Sequence, residues 1–316
     1  MKRIIQILGV VAAAIAVLPS HAAEDRVEFS TDGDFSEAAI RRGVKATRAQ
    51  CEKVENAVWV STPDHGEECL KYWTAGFPGT TAGRAVVFFH GDVWVGPGKT
   101  SRAYLRTSEW SIQRDAEKWA RRIEAPYVFF GRPGAFGSSG DHMQRRREGE
   151  SVLISAALDQ IKDRLKIREF VIAGQSGGGH VTSALLARRA DIVCAVPTSA
   201  PSSPRVRWLT KGLKKDTTGF GDSYEPTDHL RAGRAHEQLR VFVLGDPADA
   251  NVVWPSQTVM ADKLKAIGMR VEILHGNGTG PDSHSLSDSA RIVAGWCYQD
   301  MPTGEILRKA AEGLRG

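Results

Sequence analysis

Short apolar runs alternate with longer amphipathic stretches along the second half of the chain. Six runs lack any alternation of polar and apolar positions, which is typical of strands buried on both faces. They occupy residues 85–89, 127–130, 170–173, 192–196, 241–244 and 271–274. Amphipathic stretches between them predict helices at residues 108–122, 150–165, 178–189 and 256–267, and again after residue 285. Strands interleaved with helices predict an α/β fold with a mostly parallel central sheet and helices on both faces.

Two further elements precede this pattern, and one segment interrupts it. Residues 58–60 and 70–73 flank a Pro-Asp-His-Gly turn and predict a β-hairpin, while residues 35–50 suggest a helix. Residues 201–238 are rich in charge, proline and glycine. They predict a short lid or cap after the strand at residues 192–196, which is the sixth predicted strand when the two strands of the hairpin are counted. We therefore expect a single domain over residues 24–316 that carries this insertion.

The N-terminus predicts export. Lys2 and Arg3 precede an apolar run over residues 4–18, and small residues lead to Ala22 and Ala23. This order is typical of a signal peptide, here residues 1–22, and predicts a secreted or periplasmic protein. A membrane anchor is the alternative, but the run is shorter than the ~20 residues that span a bilayer. No later segment is apolar enough to cross a membrane, so we expect no span in the mature chain.

Composition and charge narrow the class of protein only slightly. Hydrophobic content of 41% and charged content of 25% are ordinary for a globular domain. The net charge of +5 becomes +3 once Lys2 and Arg3 are removed. Arg145, Arg146 and Arg147 form a dense basic cluster without interleaved aromatic residues, which favours a solvated helix start over a nucleic-acid site. No nucleic-acid partner is expected.

The four cysteines suit an oxidising compartment. An even number in an exported chain permits disulfides, and local spacing favours Cys51 with Cys69. Cys194 would then pair with Cys297 by elimination. Four buried free thiols are the alternative. No Cys-x-x-Cys pair is present, which weakens a zinc or thioredoxin-like interpretation.

Gly174-Gln175-Ser176-Gly177-Gly178 carries the chemical signal of the sequence. It follows a predicted strand and precedes a predicted helix, which is the context that a Gly-x-Ser-x-Gly nucleophile turn requires. Ser176 is therefore the candidate nucleophile, and the glycines give clearance around it. A phosphate-binding turn is the alternative, but the stretch lacks the lysine of a P-loop and the glycine spacing of a dinucleotide site. We expect no cofactor and no metal.

A serine nucleophile needs a base and an acid, in the chain order Ser, acid, His for this context. Asp249 is preferred over Asp246, because Asp246 abuts the strand end and is placed to cap the turn. His284 is preferred over His275, because it lies in a glycine-rich loop that can carry the imidazole over the sheet edge. His229 and His236 of the predicted lid precede the acid in the chain, and His180, one turn into the following helix, has a position more typical of a packed or capping histidine than of a base.

Acyl transfer also needs hydrogen-bond donors for the oxyanion. The backbone N–H of Gly177 follows the nucleophile and is the first candidate. The second is the backbone N–H of Asp92, in the loop His90-Gly91-Asp92 after residues 85–89. An ordinary turn is the alternative interpretation of this loop.

Taken in order, His90-Gly91, the Gly174–Gly178 motif, Asp249 and His284 resemble the α/β-hydrolase superfamily. Gly131-Arg132-Pro133-Gly134 is similar to the turn that many members carry after the fourth strand. The resemblance implies a mixed, mostly parallel sheet and an acyl-enzyme mechanism. Asp92 and Val93 depart from the His-Gly-Gly-Gly pattern of some esterases, and no aromatic residue follows Ser176 as in prolyl-oligopeptidase-like peptidases.

These residues predict a serine hydrolase that cleaves carboxylic esters, with a small-molecule or polymeric ester as substrate. A serine peptidase using the same residues is the alternative, although fewer than 100 residues precede the sheet core to form an amine-binding domain. A non-catalytic binding protein on the same scaffold is disfavoured by the full set of Ser176, Asp249 and His284. Haloalkane chemistry is disfavoured because its nucleophile is a carboxylate.

Overall fold

Nine strands form the central sheet of the computed structural model, which describes residues 25–79, 82–95, 99–233 and 235–315. The signal peptide predicted for residues 1–22 lies outside these described residues. The strands of the sheet are β3 (Ala57–Thr62), β4 (Gly66–Ala75), β5 (Arg84–Phe89), β8 (Tyr127–Phe130), β9 (Glu169–Gln175), β10 (Ile192–Thr198), β11 (Arg240–Gly245), β12 (Arg270–Asn277) and β13 (Leu314–Arg315). Two small ladders lie outside it and pair β1 (Val27–Glu28) with β2 (Val44–Lys45) and β6 (Trp94–Val95) with β7 (Lys99–Thr100).

The sheet has the order β13-β12-β11-β10-β9-β5-β8-β4-β3. Strands β5 and β8 to β13 pair in parallel, whereas β8 pairs with β4 and β4 with β3 in antiparallel fashion. The mostly parallel sheet predicted from the apolar runs is confirmed, and so is the hairpin, whose turn joins Thr62 to Gly66. Because parallel strands end at the same edge, the loops after β5, β9, β11 and β12 meet there.

Helices cover both faces of the sheet. They are α1 (Glu37–Arg42), α2 (Arg48–Cys51), α3 (Glu109–Ile123), α4 (Glu148–Leu165), α5 (Gly177–Leu186), α6 (Pro204–Thr210), α7 (Pro226–His229), α8 (Trp254–Ala266), α9 (Ser287–Tyr298) and α10 (Thr303–Ala311). Capping side chains define several starts: the Ser108 hydroxyl accepts from the N–H of Ser111 at α3, and that of Ser203 accepts from Val206 at α6. None of the helices in the described residues is long and apolar enough to cross a membrane.

Two apolar layers sandwich the sheet, as the lack of alternation in the strands predicts. Ala85, Val87 and Phe89 of β5 join the layer under α4, α5 and α8, whereas Val86 and Phe88 join the layer under α3, α9 and α10. Successive side chains of a strand point to opposite faces, so an uninterrupted apolar run fills both layers. Because each strand is packed on both faces, its position in the sheet is fixed, and so is the position of the loop that follows it.

The helix suggested for residues 35–50 is wrong in extent. Two short helices, α1 and α2, occupy this stretch, and β2 separates them. Gly43 ends α1 with a φ of 75°, a conformation that glycine adopts without a Cβ penalty. The chain then pairs with β1 and restarts at Thr47, whose side chain forms a capping box with Gln50.

Residues 201–238 connect β10 to β11, at the place predicted for a lid, and carry α6 and α7. Several polar side chains of this segment are buried, including Asp216 and Glu225. The Glu225 carboxylate accepts hydrogen bonds from the Ser203 hydroxyl, at 2.7 Å, and from the N–H of Arg205, at 2.5 Å. The segment is therefore tied down by internal polar contacts.

Both disulfides favoured by cysteine spacing are present. Cys51 of α2 is bonded to Cys69 of β4, and Cys194 of β10 is bonded to Cys297 of α9. All four sulfurs are thus paired, and the alternative of four free thiols is wrong. The first bond joins the N-terminal region to the antiparallel edge of the sheet, and the second joins a central strand to a covering helix.

Candidate active site

Ser176 stands on the sharp turn between β9 and α5. Its backbone has φ 55° and ψ −118°, a combination that side-chain-bearing residues rarely adopt. Its N–H donates to the carbonyl oxygen of Thr198, at the end of neighbouring β10, over 2.8 Å. The turn therefore has the strained strand-to-helix geometry that presents a serine hydroxyl above a sheet.

The glycines on either side of Ser176 allow this turn to form. A Cβ on Gly174 would collide with the backbone carbonyl of Gly178. A Cβ on Gly178 would collide with the carbonyl oxygen of Phe89 on adjacent β5. Both positions are closed to any larger residue because α5 begins directly against the strand ends.

His284 and Asp249 form a close pair. His284 Nδ1 lies 2.7 Å from Asp249 Oδ2, and the Asp249 side chain is fully buried. The other carboxylate oxygen, Oδ1, accepts the N–H groups of Asn251 and Val252, each at 2.8 Å. These bonds fix the carboxylate, and the carboxylate favours the imidazole tautomer that carries its proton on Nδ1. Nε2 is then the nitrogen available to accept a proton.

The alternative acid and base lie in different surroundings. Asp246 Oδ1 accepts the N–H of Ala248 and Oδ2 that of Gly278, each at 2.8 Å, so this carboxylate bridges the loops after β11 and β12. His275 lies within β12, and its ring packs on Trp254 with 5.0 Å between centroids. Neither side chain hydrogen-bonds to Asp249 or His284.

The other histidines are also engaged elsewhere. His180 is buried, and its Nε2 lies 2.9 Å from the carbonyl oxygen of Tyr224. Burial lowers the pKa of this imidazole, against the opposing effect of that backbone hydrogen bond. His229 stacks on Tyr224 at 4.5 Å between ring centroids, and His236 lies 3.7 Å from Glu169.

Gln175 positions the His284 loop, a role that the sequence analysis missed. Its side-chain Nε2 donates to the carbonyl oxygen of His284 over 2.8 Å, and its Oε1 accepts the N–H of Leu286 over 3.0 Å. The side chain thus holds the chain on both sides of Ser285. Since Gln175 directly precedes Ser176, one backbone segment places both the hydroxyl and the imidazole. Its only sequence signal was an amide at the unconstrained second position of the motif.

Two backbone donors lie close to Ser176: Gly177 follows it directly, and Asp92 follows Gly91, on which a Cβ would stand 3.6 Å from Ser176 Cβ. The N–H groups of Gly177 and Asp92 make no hydrogen bond to any residue that the structure describes. Gly177 opens α5, where unpaired N–H groups and the helix dipole favour a negative charge. Both groups predicted as oxyanion donors are therefore free to donate.

A buried ionic cluster holds the loop that contains Asp92. Arg132 Nη1 donates to Asp92 Oδ1 at 3.0 Å, Arg145 Nε donates to Oδ2 at 3.1 Å, and Arg146 Nη1 donates to Oδ2 as well. Burial by itself raises the pKa of Asp92, but the charges of Arg146, Arg145 and Arg132 outweigh it and hold the pKa well below its usual range. A Cβ on Gly177 would collide with this carboxylate, so the cluster lies directly against the start of α5.

The prediction of a solvated helix start for the arginine cluster is wrong for two of its three members. Arg145 and Arg146 are 3% and 1% exposed, whereas Arg147 lies at the surface and pairs with Asp222 at 2.5 Å. The first two turn inward because Asp92 lies within reach, a partner 53 and 54 residues away in the sequence. Charge density along a chain does not reveal such a distant partner.

Arg132 and His90 complete the support of this loop. Arg132 Nη1 donates to the carbonyl oxygen of His90 at 3.1 Å, its Nε donates to Glu150 at 2.8 Å, and its backbone N–H donates to His90 Nε2 at 3.1 Å. Burial and the Arg132 charge lower the pKa of His90 to about 3, so the ring is a neutral acceptor. The Arg-Pro-Gly turn therefore acts by fixing the chain next to Asp92.

Arg146 also joins this loop to residues 201–238. Its Nε donates to Asp216 at 2.8 Å, and its backbone carbonyl accepts the N–H of Tyr224 at 2.7 Å. Both ends of the Arg146–Asp216 pair are 1% exposed. Any displacement of this segment must therefore break a buried ion pair that leads to Asp92.

Comparison with solved structures identifies the class to which this geometry belongs: the chain has the α/β-hydrolase fold. It superposes on the esterase Pf2001 of Pyrococcus furiosus with a TM-score of 0.51 and 17% identity, over 80% of this chain and 91% of that one. Est1E of Butyrivibrio proteoclasticus, solved with ferulic acid, gives 0.54 and 12%, over 77% and 98% of the two chains.

Prolyl oligopeptidase B of Galerina marginata gives a TM-score of 0.53 and 11% identity, over 77% of this chain and 36% of that one. No family model matches the sequence, and a search of curated proteins finds no match. At these identities the likeness extends to the fold alone.

Proposed function

We propose that the chain is an exported serine hydrolase that cleaves carboxylic esters through an acyl-enzyme. Ser176 attacks the ester carbonyl while His284 Nε2 takes its proton, and Asp249 orients the imidazole. The N–H groups of Gly177 and Asp92 stabilise the oxyanion. The alcohol then leaves with the proton from His284, and a water molecule, activated by the same imidazole, releases the acid.

One observation carries the proposal. Asp249 lies 2.7 Å from His284, its other oxygen is fixed by two backbone N–H groups, and Gln175 ties the His284 loop to the residue before a strained Ser176. A strained serine, an oriented imidazole and two unpaired N–H groups at neighbouring strand ends have a common use in acyl transfer.

Export rests on the N-terminal sequence and the disulfides. The basic start, apolar run and small residues of the first 22 positions are typical of a signal peptide. Two buried disulfides suit a protein that matures in an oxidising compartment. Detection of the processed chain outside the cytoplasm, with its N-terminus near residue 23, would test this part of the proposal.

An active-site label tests the chemistry. A fluorescent organophosphonate should label the wild-type chain at Ser176, as peptide mapping would show, and should not label Ser176→Ala or His284→Ala. His275→Ala is the matched control and should keep its labelling. The loss of activity in Ser176→Ala should approach the ~10⁶ typical for a triad nucleophile. A Ser176→Ala variant that kept a tenth of wild-type turnover would refute the assignment.

A substrate panel separates the remaining functions. p-Nitrophenyl and methyl esters of increasing acyl length should be hydrolysed, whereas aminoacyl arylamides should be cleaved poorly or not at all. Faster cleavage of the arylamides would identify a serine peptidase on the same fold. Failure of labelling and of all turnover, in a chain shown to be folded by its circular dichroism, would leave a non-catalytic binding protein.

A further inference from the structure

A cavity of about 320 Å³ lies next to Ser176, between the ends of β5 and β8 and the starts of α3 and α9. Gly91 lines the cavity and also lies against the nucleophile: a Cβ on Gly91 would stand 3.6 Å from Ser176 Cβ. Ser287, three residues after His284, also lines it. The cavity therefore adjoins the backbone segments that carry the proposed nucleophile and base.

Part of the cavity lining is aromatic. Phe88, Phe129 and Phe136 line it together with Ile112. The rings of Phe129 and Phe136 meet edge to face, with 5.1 Å between centroids and 66° between planes. Neighbouring aromatic rings in this arrangement favour a further ring inserted among them.

The lining also contains a cation and an anion, Arg291 and Asp115, that form an ion pair without a hydrogen bond between them. Arg291 is 8% exposed, and its Nη2 lies 3.7 Å from Asp115 Oδ2, beyond hydrogen-bond distance. Its Nε donates to the Tyr127 hydroxyl at 3.0 Å, and its guanidinium stacks over Phe88 at 3.7 Å. Among the described residues, the two Nη groups and the Asp115 carboxylate form no hydrogen bond. A donor and an acceptor are thus both available at the cavity wall.

On the basis of the proposed ester hydrolysis, we propose that this cavity binds a hydroxyl-bearing aromatic ring of the ester substrate. The ring would pack against the phenylalanine side chains. Its hydroxyl would donate to Asp115 and accept from Arg291, which uses both capacities of the group. An anionic substituent suits the wall less well, because Asp115 lines it and Asp288 lies 3.6 Å from Arg291 Nη1. The chain is then an esterase for esters of hydroxyl-bearing aromatic acids.

The experiment compares hydroxy and methoxy pairs. kcat/KM is measured for methyl 4-hydroxybenzoate and methyl 4-methoxybenzoate, and for the corresponding cinnamate pair, which places the hydroxyl further from the carbonyl. The enzymes are the wild type, Asp115→Ala and the control Glu117→Ala, which removes an acid from α3 outside the cavity. The effect of each substituent on carbonyl reactivity is the same for every enzyme, so it cancels when their hydroxy-to-methoxy ratios are compared.

In at least one pair, Asp115→Ala should lower the ratio about tenfold, the weight of one hydrogen bond to a charged group, and Glu117→Ala should leave it unchanged. Equal ratios in all three enzymes would overturn the proposal. So would a wild-type enzyme that hydrolyses esters of aliphatic acids but neither hydrolyses nor binds these benzoate and cinnamate esters.

Binding to Ser176→Ala, measured by calorimetry, keeps the inference separate from the proposed catalysis. The hydroxy ester should bind more tightly than the methoxy ester, and adding Asp115→Ala should remove the difference. Absence of all turnover and labelling in the wild type would refute the hydrolase proposal alone. The binding comparison would still test the cavity: tighter binding of the hydroxy ester that is lost with Asp115→Ala would support the proposed site, and equal binding would overturn it.

Discussion

Gln175 hydrogen-bonds to the backbone carbonyl of His284 over 2.8 Å and, through its other side-chain atom, to the N–H of Leu286. The residue before the proposed nucleophile therefore holds the loop of the proposed base. Two residues thus hold the imidazole in different ways: Asp249 orients the ring, and Gln175 fixes the chain that carries it. Removing either support should have a measurable consequence of its own.

Gln175→Ala should lower kcat by about 10²-fold, because small displacements of a catalytic group cost rates of this order. The Ser176 hydroxyl and the Asp249 carboxylate remain, so slow phosphonate labelling should persist. Gln113→Ala is a suitable control, since it removes a glutamine whose amide contacts Thr74 and Glu117 and does not hydrogen-bond to the His284 loop. Wild-type kcat in a folded Gln175→Ala enzyme would show that the two bonds do not position the base.

The sequence was sufficient for the strands, because an uninterrupted apolar run has one common explanation, burial on both faces. It was also sufficient to bring Asp249 and His284 forward as a pair, since parallel strands deliver their loops to one edge. The pairing of Cys194 with Cys297 followed from elimination once the local pair was chosen. Each of these predictions depends on information that is local or on the general geometry of a parallel sheet.

The contacts of Gln175 and Arg146 could not be predicted from the sequence, because they depend on partners that are distant along the chain. Gln175 acts on a residue 109 positions away, and Arg146 reaches partners 54 and 70 positions away. Neither residue type is diagnostic, because a glutamine or an arginine at a helix start is usually solvated. The single helix suggested for residues 35–50 failed differently: Gly43 and the capping box at Thr47 interrupt a composition that is otherwise compatible with a helix.

Asp249→Asn and Asp246→Asn should separate the proposed catalytic acid from its neighbour. The amide at position 249 would disfavour the tautomer with a proton on Nδ1, and in a triad such a change costs about 10⁴ in kcat. Asp246→Asn keeps one acceptor oxygen for the N–H groups of Ala248 and Gly278. This variant should therefore lower the stability of the protein more than it lowers kcat. Steady-state kinetics on both variants, with urea unfolding as the second readout, decides the question. An inactive Asp246→Asn beside an active Asp249→Asn would reverse the assignment.

The two disulfides should contribute unequally to stability. The Cys194–Cys297 bond spans 103 residues and the Cys51–Cys69 bond 18, and loop-closure entropy predicts about 4.7 kcal/mol for a loop of about 100 residues against about 3 kcal/mol for one of about 15. Replacing both cysteines of a pair by alanine, followed by urea unfolding, measures each contribution. A larger loss for the Cys51–Cys69 pair would show that native-state strain or residual structure in the unfolded chain outweighs loop length.

Three buried histidines should make the protein acid-sensitive. Burial, with nearby arginine charges, lowers the pKa of His90 to about 3 and also lowers those of His142 and His180. Between its folded pKa and the unfolded value of about 6.5, each of these histidines binds a proton in the unfolded chain but not in the folded one. Stability therefore falls as pH decreases through that range, by at most about 1.4 kcal/mol per pH unit for each histidine. The loss for His90 should continue towards pH 3.

Unfolding free energies at pH 7.5 and pH 5 measure this slope. His180→Gln should reduce the difference between the two pH values, because glutamine can still donate to the Tyr224 carbonyl but does not titrate. His229→Gln, at an exposed position, is the control. Burial raises the pKa of Glu68, so this carboxyl makes stability rise as pH decreases. Its contribution is the same in all three proteins and cancels in the comparison. An unchanged difference in His180→Gln would contradict the assignment.

Removal of Arg146 should be costly to stability. It donates to both Asp92 and Asp216, so Arg146→Met leaves two buried carboxylates short of a partner, and breaking a buried pair in this way typically costs about 3–5 kcal/mol. Asp216→Asn should cost less, because Arg146 then keeps Asp92, and the amide that replaces the carboxylate still accepts a hydrogen bond. Since Asp92 also carries a proposed oxyanion N–H, Arg146→Met should slow phosphonate labelling of Ser176 as well as lower stability. Urea unfolding and labelling rates on both variants test the two effects separately, and an Asp216→Asn variant that is the less stable of the two would show that the pair is held chiefly by residues 201–238.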